Sequence, residues 1–409
     1  MNSFELKRVA EYRRSFFSIE LLLPFFMLFA QYRIGPVSIV TVLLLIVAVL
    51  IVLRESANLC YSLKFWPYYL FLGYIIVCDV FSALLGPDPM QTEINRMTEY
   101  VVMFLLVFIV CSQSFDENRL YKCWKIAGCV FTMGILYHVV QIYVLKQSIS
   151  PICIIPGYEL RAEDAYDQFR PSSFFAEPAA FTNSMLPLLF LSLKRKDFKW
   201  AVFCTISILM STSTVGVILS VVLWVMTLVI EKSSFKKKIV AIFVAAPIVW
   251  MFFSMEIFSV TQSKFFAVTD GESTFGSRVL TGLELVQNMP NSDLIFGSRY
   301  GNVVNYVTDN LNQFSGCETL LYYWKCRRLF LNAFSQSIFQ YGVVGLFLFL
   351  LPFLRYMGNR SYEAKPFVIL FFVAILGQSM LLNAYFFMLV ILFILYENKS
   401  ELKDCAVVK

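Results

Sequence analysis

IGPVSIVTVLLLIVAVLIVL, residues Ile34 to Leu53, is one apolar run broken only by Gly, Pro, Ser and Thr. A strand of a membrane barrel alternates polar and apolar residues over about ten positions, whereas a helix crossing a hydrocarbon core of about 30 Å needs roughly twenty apolar residues in a row. The run therefore reads as a membrane-spanning helix. Runs of the same kind recur along the 409 residues, of which 58% are hydrophobic, 17% aromatic and only 15% charged, with 42 Phe. Such a chain has lipid as its main solvent, and in lipid only helices or a closed barrel satisfy the backbone. The expected class is an all-α, polytopic membrane protein.

The hydropathy pattern places about twelve transmembrane helices at 16–32, 34–53, 65–85, 97–112, 123–145, 179–193, 200–215, 216–230, 239–257, 334–352, 366–380 and 382–396. Trp200 to Ile230 as one helix is about 46 Å long, so it is broken at Ser211-Thr212-Ser213-Thr214. The last pair is split near Asn383 on the same ground. Most of the 34 Lys and Arg residues fall in the two tails and in 54–64, 113–125, 194–199, 231–238 and 355–365, which makes these segments and both termini cytoplasmic. Among the remainder, only Arg33 and Arg96 lie in short outer loops. The organisation is then 1–145 with the first five helices, a first outer loop 146–178, helices six to nine in 179–257, a second outer loop 258–333, helices ten to twelve in 334–396, and a cytoplasmic tail 397–409. Aromatic and aliphatic residues such as Phe174, Phe175, Leu320, Tyr322, Tyr323 and Trp324 make both long loops ordered caps rather than disordered insertions.

Several function classes drop out. The net charge of +6 comes from short basic clusters between apolar runs and not from one basic face, so no nucleic-acid partner is expected. Ten Cys show no CxxC pair and no metal-ligand spacing, and no metal or other cofactor is read from them. Cys317 and Cys326 share the second outer loop, where a disulfide and two free thiols are both open readings. Phosphate-binding P-loop, GxGxxG, HExxH and GxSxG motifs are all missing, which leaves nucleotide hydrolysis, dinucleotide redox chemistry and the common protease mechanisms unsupported.

Polar residues inside the spans are few. Asp79, Glu99 and His138, the only histidine, fall in the outer third of their helices, and their shared depth points to a polar cavity open to the outside. The segment Phe169-Arg170-Pro171-Ser172-Ser173-Phe174-Phe175-Ala176-Glu177-Pro178 joins a cation and a carboxylate between two prolines. Proline disfavours helix in the residue before it, so the stretch is expected to be extended and to fix Arg170 relative to Glu177, as a site or as a surface ion pair. The second loop carries Phe-Gly-Ser-Arg twice, at 275–278 and 296–299, and each copy is expected to present an arginine after a flexible turn, where a guanidinium can hold a phosphate bidentately.

The run RPSSFFAEPAAF from Arg170 resembles the first outer-loop signature of the Wzy-type O-antigen and capsular polysaccharide polymerases. STSTVG at 211–216, GSRVLTGLELVQNMPNSDLIFGSRYGN at 276–302 and NAFSQSIFQYGVVGL at 332–346 are further similarities. The resemblance implies a metal-independent glycosyltransferase of the bacterial inner membrane, acting on undecaprenyl-diphosphate-linked glycan within membrane lipid. It also implies a chain-length regulator and a flippase as partners. On this reading Arg170, Arg278 and Arg299 bind and stabilise the leaving diphosphate, Glu177 takes the proton of the acceptor hydroxyl, and Asn332, Gln336 and His138 contact the acceptor. Related O-antigen ligases carry a histidine where this chain has Asn332. Two rival readings are kept beside the polymerase: a lipid-linked oligosaccharide flippase or other transporter, and a ligase.

Overall fold

The computed structural model describes residues 18–35, 37–55, 65–111, 116–156, 158, 170–230, 274–327, 329–358 and 365–407. These are mostly helical, with one two-stranded pairing among them. Trp66–Leu85, Met90–Cys111, Glu117–Val144 and Ala333–Arg355 are each long and apolar enough to cross a membrane, and further apolar helices are shorter. The ninth expected helix, 239–257, lies outside the described residues, as does the tail 1–17.

Helix α1 (Ile19–Ala30) is interrupted by a 3-10 turn at Leu23–Phe25, where Pro24 lacks the amide hydrogen that a continuous helix needs. The next apolar run departs from expectation at its start. Arg33–Ile34 (β1) and Val37–Ser38 (β2) form a small antiparallel hairpin around Gly35, whose φ is +60°, and α2 (Ile39–Glu55) begins only after it. Helices α3 (Trp66–Leu85) and α4 (Met90–Cys111) follow. Helix α4 starts at Met90 rather than 97, which moves Arg96 from an outer loop into a helix. In its polar first turns, Arg96 pairs with Glu93 of the same helix and with Asp79 of α3. Helix α5 (Glu117–Val139) is capped by Asp116, which accepts from the amides of Asn118 and Arg119 at 2.8 and 3.4 Å, and ends in a π turn, Val140–Val144.

Helix α6 (Pro178–Lys194) is buried on every side from Phe181 to Leu193, the pattern of a helix in the middle of a bundle. It packs against α1, α5, α7 (Phe198–Met210) and α8 (Thr214–Ile230). The break between α7 and α8 falls at Ser211–Ser213, close to the expected place, with Thr212 at φ +54°. The described part of the second long loop is an ordered cap of α9 (Thr274–Asn288), α10 (Asn291–Phe296), α11 (Val303–Asp309) and α12 (Glu318–Lys325). Leu285, Met289, Tyr306, Phe314, Leu320 and Tyr323 form its own apolar core, closed by Phe339 of α13 (Ala333–Gly358). The chain ends in α14 (Lys365–Gly377) and α15 (Ala384–Val407), split where expected near Asn383; α15 continues past residue 396.

Opposite the cap, cations cluster on aromatic rings. Lys125 pairs with Asp197 at 3.0 Å and lies 4.7 Å from the Trp200 ring, Tyr121 donates to Asp197 at 2.9 Å, and Lys194 lies 4.2 Å from the Tyr396 ring. Burial pushes the Asp197 carboxyl up, but hydrogen bonds from Lys125 and Tyr121 outweigh it and hold the group below the usual carboxylate range.

Candidate functional site

The segment before α6 is not extended throughout. The Phe175 amide donates to the Ser172 carbonyl at 3.1 Å, closing a turn with Ser173 at φ +60°. Glu177 keeps the extended backbone expected ahead of a proline, at φ −133° and ψ 148°. Neighbouring helices impose the turn. His138 Nδ1 accepts from the amides of Ser172 and Ser173 at 3.3 and 3.2 Å, and Ser173 Oγ donates to the Phe131 carbonyl at 2.8 Å. Gly134 makes this approach possible, since a Cβ there would lie 2.2 Å from Ser173 Oγ. Gln31 stitches the other side, accepting from the Ala176 amide and donating to the Phe174 carbonyl at 3.4 Å.

This places Arg170 at the α7–α8 break, its Nη2 donating to the Thr212 carbonyl at 3.1 Å. Below it, Gly216 of α8 lies against Thr182 of α6, where a Cβ would be 2.5 Å from the Thr182 hydroxyl. One step further along α6, Asn183 and Gln378 exchange hydrogen bonds at 3.0 and 3.1 Å. The Gln378 carbonyl also accepts from the Ala333 amide at 2.7 Å, so the start of α13 joins the assembly. On the far side of α13, Gly282 of α9 would carry a Cβ 2.4 Å from Ser335 Oγ, and the Ser298 amide donates to the Phe339 carbonyl at 2.8 Å. Segments 170–181, 211–216, 276–302 and 332–346, distant in sequence, thus meet at one end of the bundle.

A cavity of about 490 Å³ opens at the same end between the α3–α4 turn, the cap and the start of α13. Asp88, Glu93 and Arg96 lie on one wall, Gly301 and Asn305 on another, and Gln336, Gln340, Ser379 and Phe330 are among the other lining residues. The Arg96 guanidinium reaches Asp79 at 2.9 Å and also Glu93. Both carboxylates are 1% exposed and the arginine 18%. The Gly301 amide and the Asn305 side chain both donate to Asp88, the latter at 2.9 Å. Among the described residues, no group of three or more His, Cys, Asp or Glu side chains is placed to hold a metal ion.

No family model matches the chain, and no curated protein matches it significantly. The residues themselves have to carry any functional reading.

The structure sorts the expected site residues. Gln336 lines the cavity, with Oε1 3.2 Å from Ser379 Oγ. Asn332, expected at the acceptor, is buried and caps α13, accepting from the Ser335 amide at 2.8 Å. His138, expected beside it, is fully buried and anchors the Ser172–Ser173 turn. Glu177 is half-buried at the head of α6 and makes no side-chain capping bond there. The two Phe-Gly-Ser-Arg copies differ, against expectation. The first is helical within α9, and the Arg278 side chain lies outside the described residues. The second is a turn, with Gly297 at φ +93° and Arg299 exposed at φ +61°, its carbonyl packed against Gly86 at the end of α3. Arg170 and Arg299 are therefore held by different elements. Cys317 and Cys326 are both free thiols, and buried Cys317 accepts from Asn288 Nδ2 at 3.0 Å.

Asp79 and Arg96 were visible in sequence, but not as partners. Glu93, Asp88, Gly301 and Gln340 were missed altogether. A helix begun at Met90 puts Glu93 and Arg96 on one face at i and i+3, and that spacing was the available signal.

Proposed function

We propose that the chain is a twelve-span inner-membrane glycosyltransferase that polymerises undecaprenyl-diphosphate-linked oligosaccharide repeats at the outer face. One observation supports the reading: the four separate segments that resemble the polymerase family form a connected series of contacts at one end of the bundle, from Arg170 and α6 through the start of α13 to the cap. The opposite end, with Lys125, Lys194 and Arg195 set on aromatic rings, has the make-up of a cytoplasmic membrane boundary. The cap then faces outward.

In the step itself, the hydroxyl oxygen of the acceptor sugar attacks the anomeric carbon of the donor, and the bond from that carbon to the diphosphate oxygen breaks. Glu177 takes the hydroxyl proton, while Arg170 stabilises the charge that develops on the departing diphosphate. Arg299 and Arg278 are further diphosphate contacts. A chain-length regulator and a flippase act beside the enzyme.

The test is gel analysis of surface glycan in a deletion strain complemented with wild type, Arg170→Ala or Glu177→Gln. The expected outcome is single repeats on the surface acceptor in the deletion strain and with either variant, and full polymer with wild type. Surface glycan lost entirely, with lipid-linked units accumulating, refutes the polymerase in favour of a flippase or ligase. Normal chains from Arg170→Ala remove that residue from the site.

A further inference from the structure

The cavity beside the α3–α4 turn is lined by two residues, Glu93 and Gln340, each with a buried side-chain acceptor that the protein itself leaves without a donor. Glu93 is 1% exposed, yet its Oε1 has no hydrogen-bond partner, and Oε1 of Gln340 is in the same state. A buried acceptor left bare costs free energy, so a ligand that donates hydrogen bonds at these points is stabilised there. Residue 301 keeps the place open. A Cβ on Gly301 would lie 2.4 Å from Glu93 Oε1 and 2.7 Å from Arg96 Nη1.

Charge selects the ligand further. Asp88 and Glu93 line the space and Asp79 lies behind them, against Arg96, the one cation among the described lining residues. An anionic phosphate brings acceptors to acceptors and negative charge to a negative wall. A sugar brings hydroxyl donors, and Phe330, half-exposed at the rim, offers an apolar face for a pyranose ring. The volume of about 490 Å³ is that of an ordinary ligand pocket.

We infer that this cavity is a glycan subsite, holding the neutral, hydroxyl-rich end of an oligosaccharide through Glu93, Asp88, Gln336 and Gln340 and excluding the carrier diphosphate. The inference rests on the glycosyltransferase reading for its biological sense, but binding is measurable without polymerisation. Purified full-length protein in nanodiscs is titrated by calorimetry with two probes: free oligosaccharide cut from the producing organism's own surface polysaccharide, and undecaprenyl diphosphate.

Gly301→Ala and Gln340→Leu should each weaken the oligosaccharide by about tenfold and leave undecaprenyl diphosphate within about twofold. Gln336→Leu, at the half-buried rim, gives a third variant should either of the others fail to fold. Unchanged oligosaccharide affinity in the folded variants overturns the subsite, as does competition between the two probes in wild type. Stabilisation by sodium or ammonium ions with no oligosaccharide binding also overturns it and makes the cavity a cation site. Glycan binding sensitive to these variants, together with full polymer in the deletion strain, refutes the polymerase reading while the subsite stands.

Discussion

Replacing Arg96 with methionine removes the one cation shared by Asp79 and Glu93, at 2.9 Å from the former and in direct contact with the latter. Both carboxylates are 1% exposed, so water cannot take over from the guanidinium. Removing one partner of a buried ion cluster costs about 3–5 kcal/mol, because charge is left uncompensated in a medium of low dielectric. That is a large fraction of the stability of an ordinary domain. Neutralising all three groups has a different consequence, since a buried ion cluster replaced by neutral groups of similar volume is often isoenergetic. The triple variant Asp79→Asn, Glu93→Gln, Arg96→Met should therefore recover most of what Arg96→Met loses. The assay is SDS-induced unfolding of the detergent-solubilised protein, read by far-ultraviolet circular dichroism. An Arg96→Met variant within about 0.5 kcal/mol of wild type refutes the reasoning. A triple variant no more stable than the single one refutes it as well.

Three further outcomes are expected. Gly342→Ala and Gly297→Ala should each abolish or strongly reduce folded protein, because both positions have positive φ and a Cβ there would stand 2.1 Å from the Ile295 carbonyl oxygen and 2.2 Å from that of Gln340; Gly316→Ala, with nothing within 4 Å, should be neutral by fluorescence-detected size exclusion. Asn183→Ala leaves the buried amide of Gln378 without its partner and should cost about 1–3 kcal/mol in thermal melts, whereas Asn183→Leu combined with Gln378→Leu should be less damaging than the two single changes summed. Lys125→Met should destabilise by at most about 1 kcal/mol near neutral pH. Since the folded-state Asp197 carboxyl is held below its ordinary range, the contribution of this pair is full above about pH 4 and lost as pH falls through the folded value, so the melting gap should close on acidification and not widen.

Helix identity was legible in the long apolar runs among the described residues, and so was the break at Ser211–Ser213, which rested on helix length against bilayer thickness. Hydropathy failed where polar residues belong to a helix because they find partners on another one. Asn95 and Arg96 look like a loop until Asp79, on the neighbouring helix, is brought to the guanidinium. The start of α2 failed for a local reason, since a positive-φ glycine outranks apolar patterning and the residues around it pair as a hairpin. Phe-Gly-Ser-Arg adopts two backbones because four residues do not fix their own conformation. Gly297, at φ +93°, closely approaches the Gln340 carbonyl, while the copy at 275–278 lies within a helix. At the site, Arg170 and Glu177 were legible as residues, whereas the anchoring roles of His138 and Asn332 depend on contacts across the fold.

On the proposed reading, holding Arg170 and the acidic α3–α4 turn on different elements suits a transfer between an anionic donor and a neutral acceptor. Arg170 is tied to the α7–α8 turn, and Asp88 and Glu93 are fixed around the α3–α4 turn, with α13 packed against α3 on one side and α14 on the other. A leaving diphosphate is anionic throughout the reaction and is repelled by the Asp88 and Glu93 wall. A sugar hydroxyl loses its proton only as it attacks, so it gains from hydrogen-bond acceptors until that moment. The two regions share a wall at Gln378–Ser379, where Ser379 lines the cavity and Gln378 holds Asn183 of α6. From Asn183 back to Glu177 is about 9 Å along the helix axis. On the proposed reading, a glycan seated against Glu93 lies across the Gln378–Ser379 wall from the head of α6, where Glu177 stands.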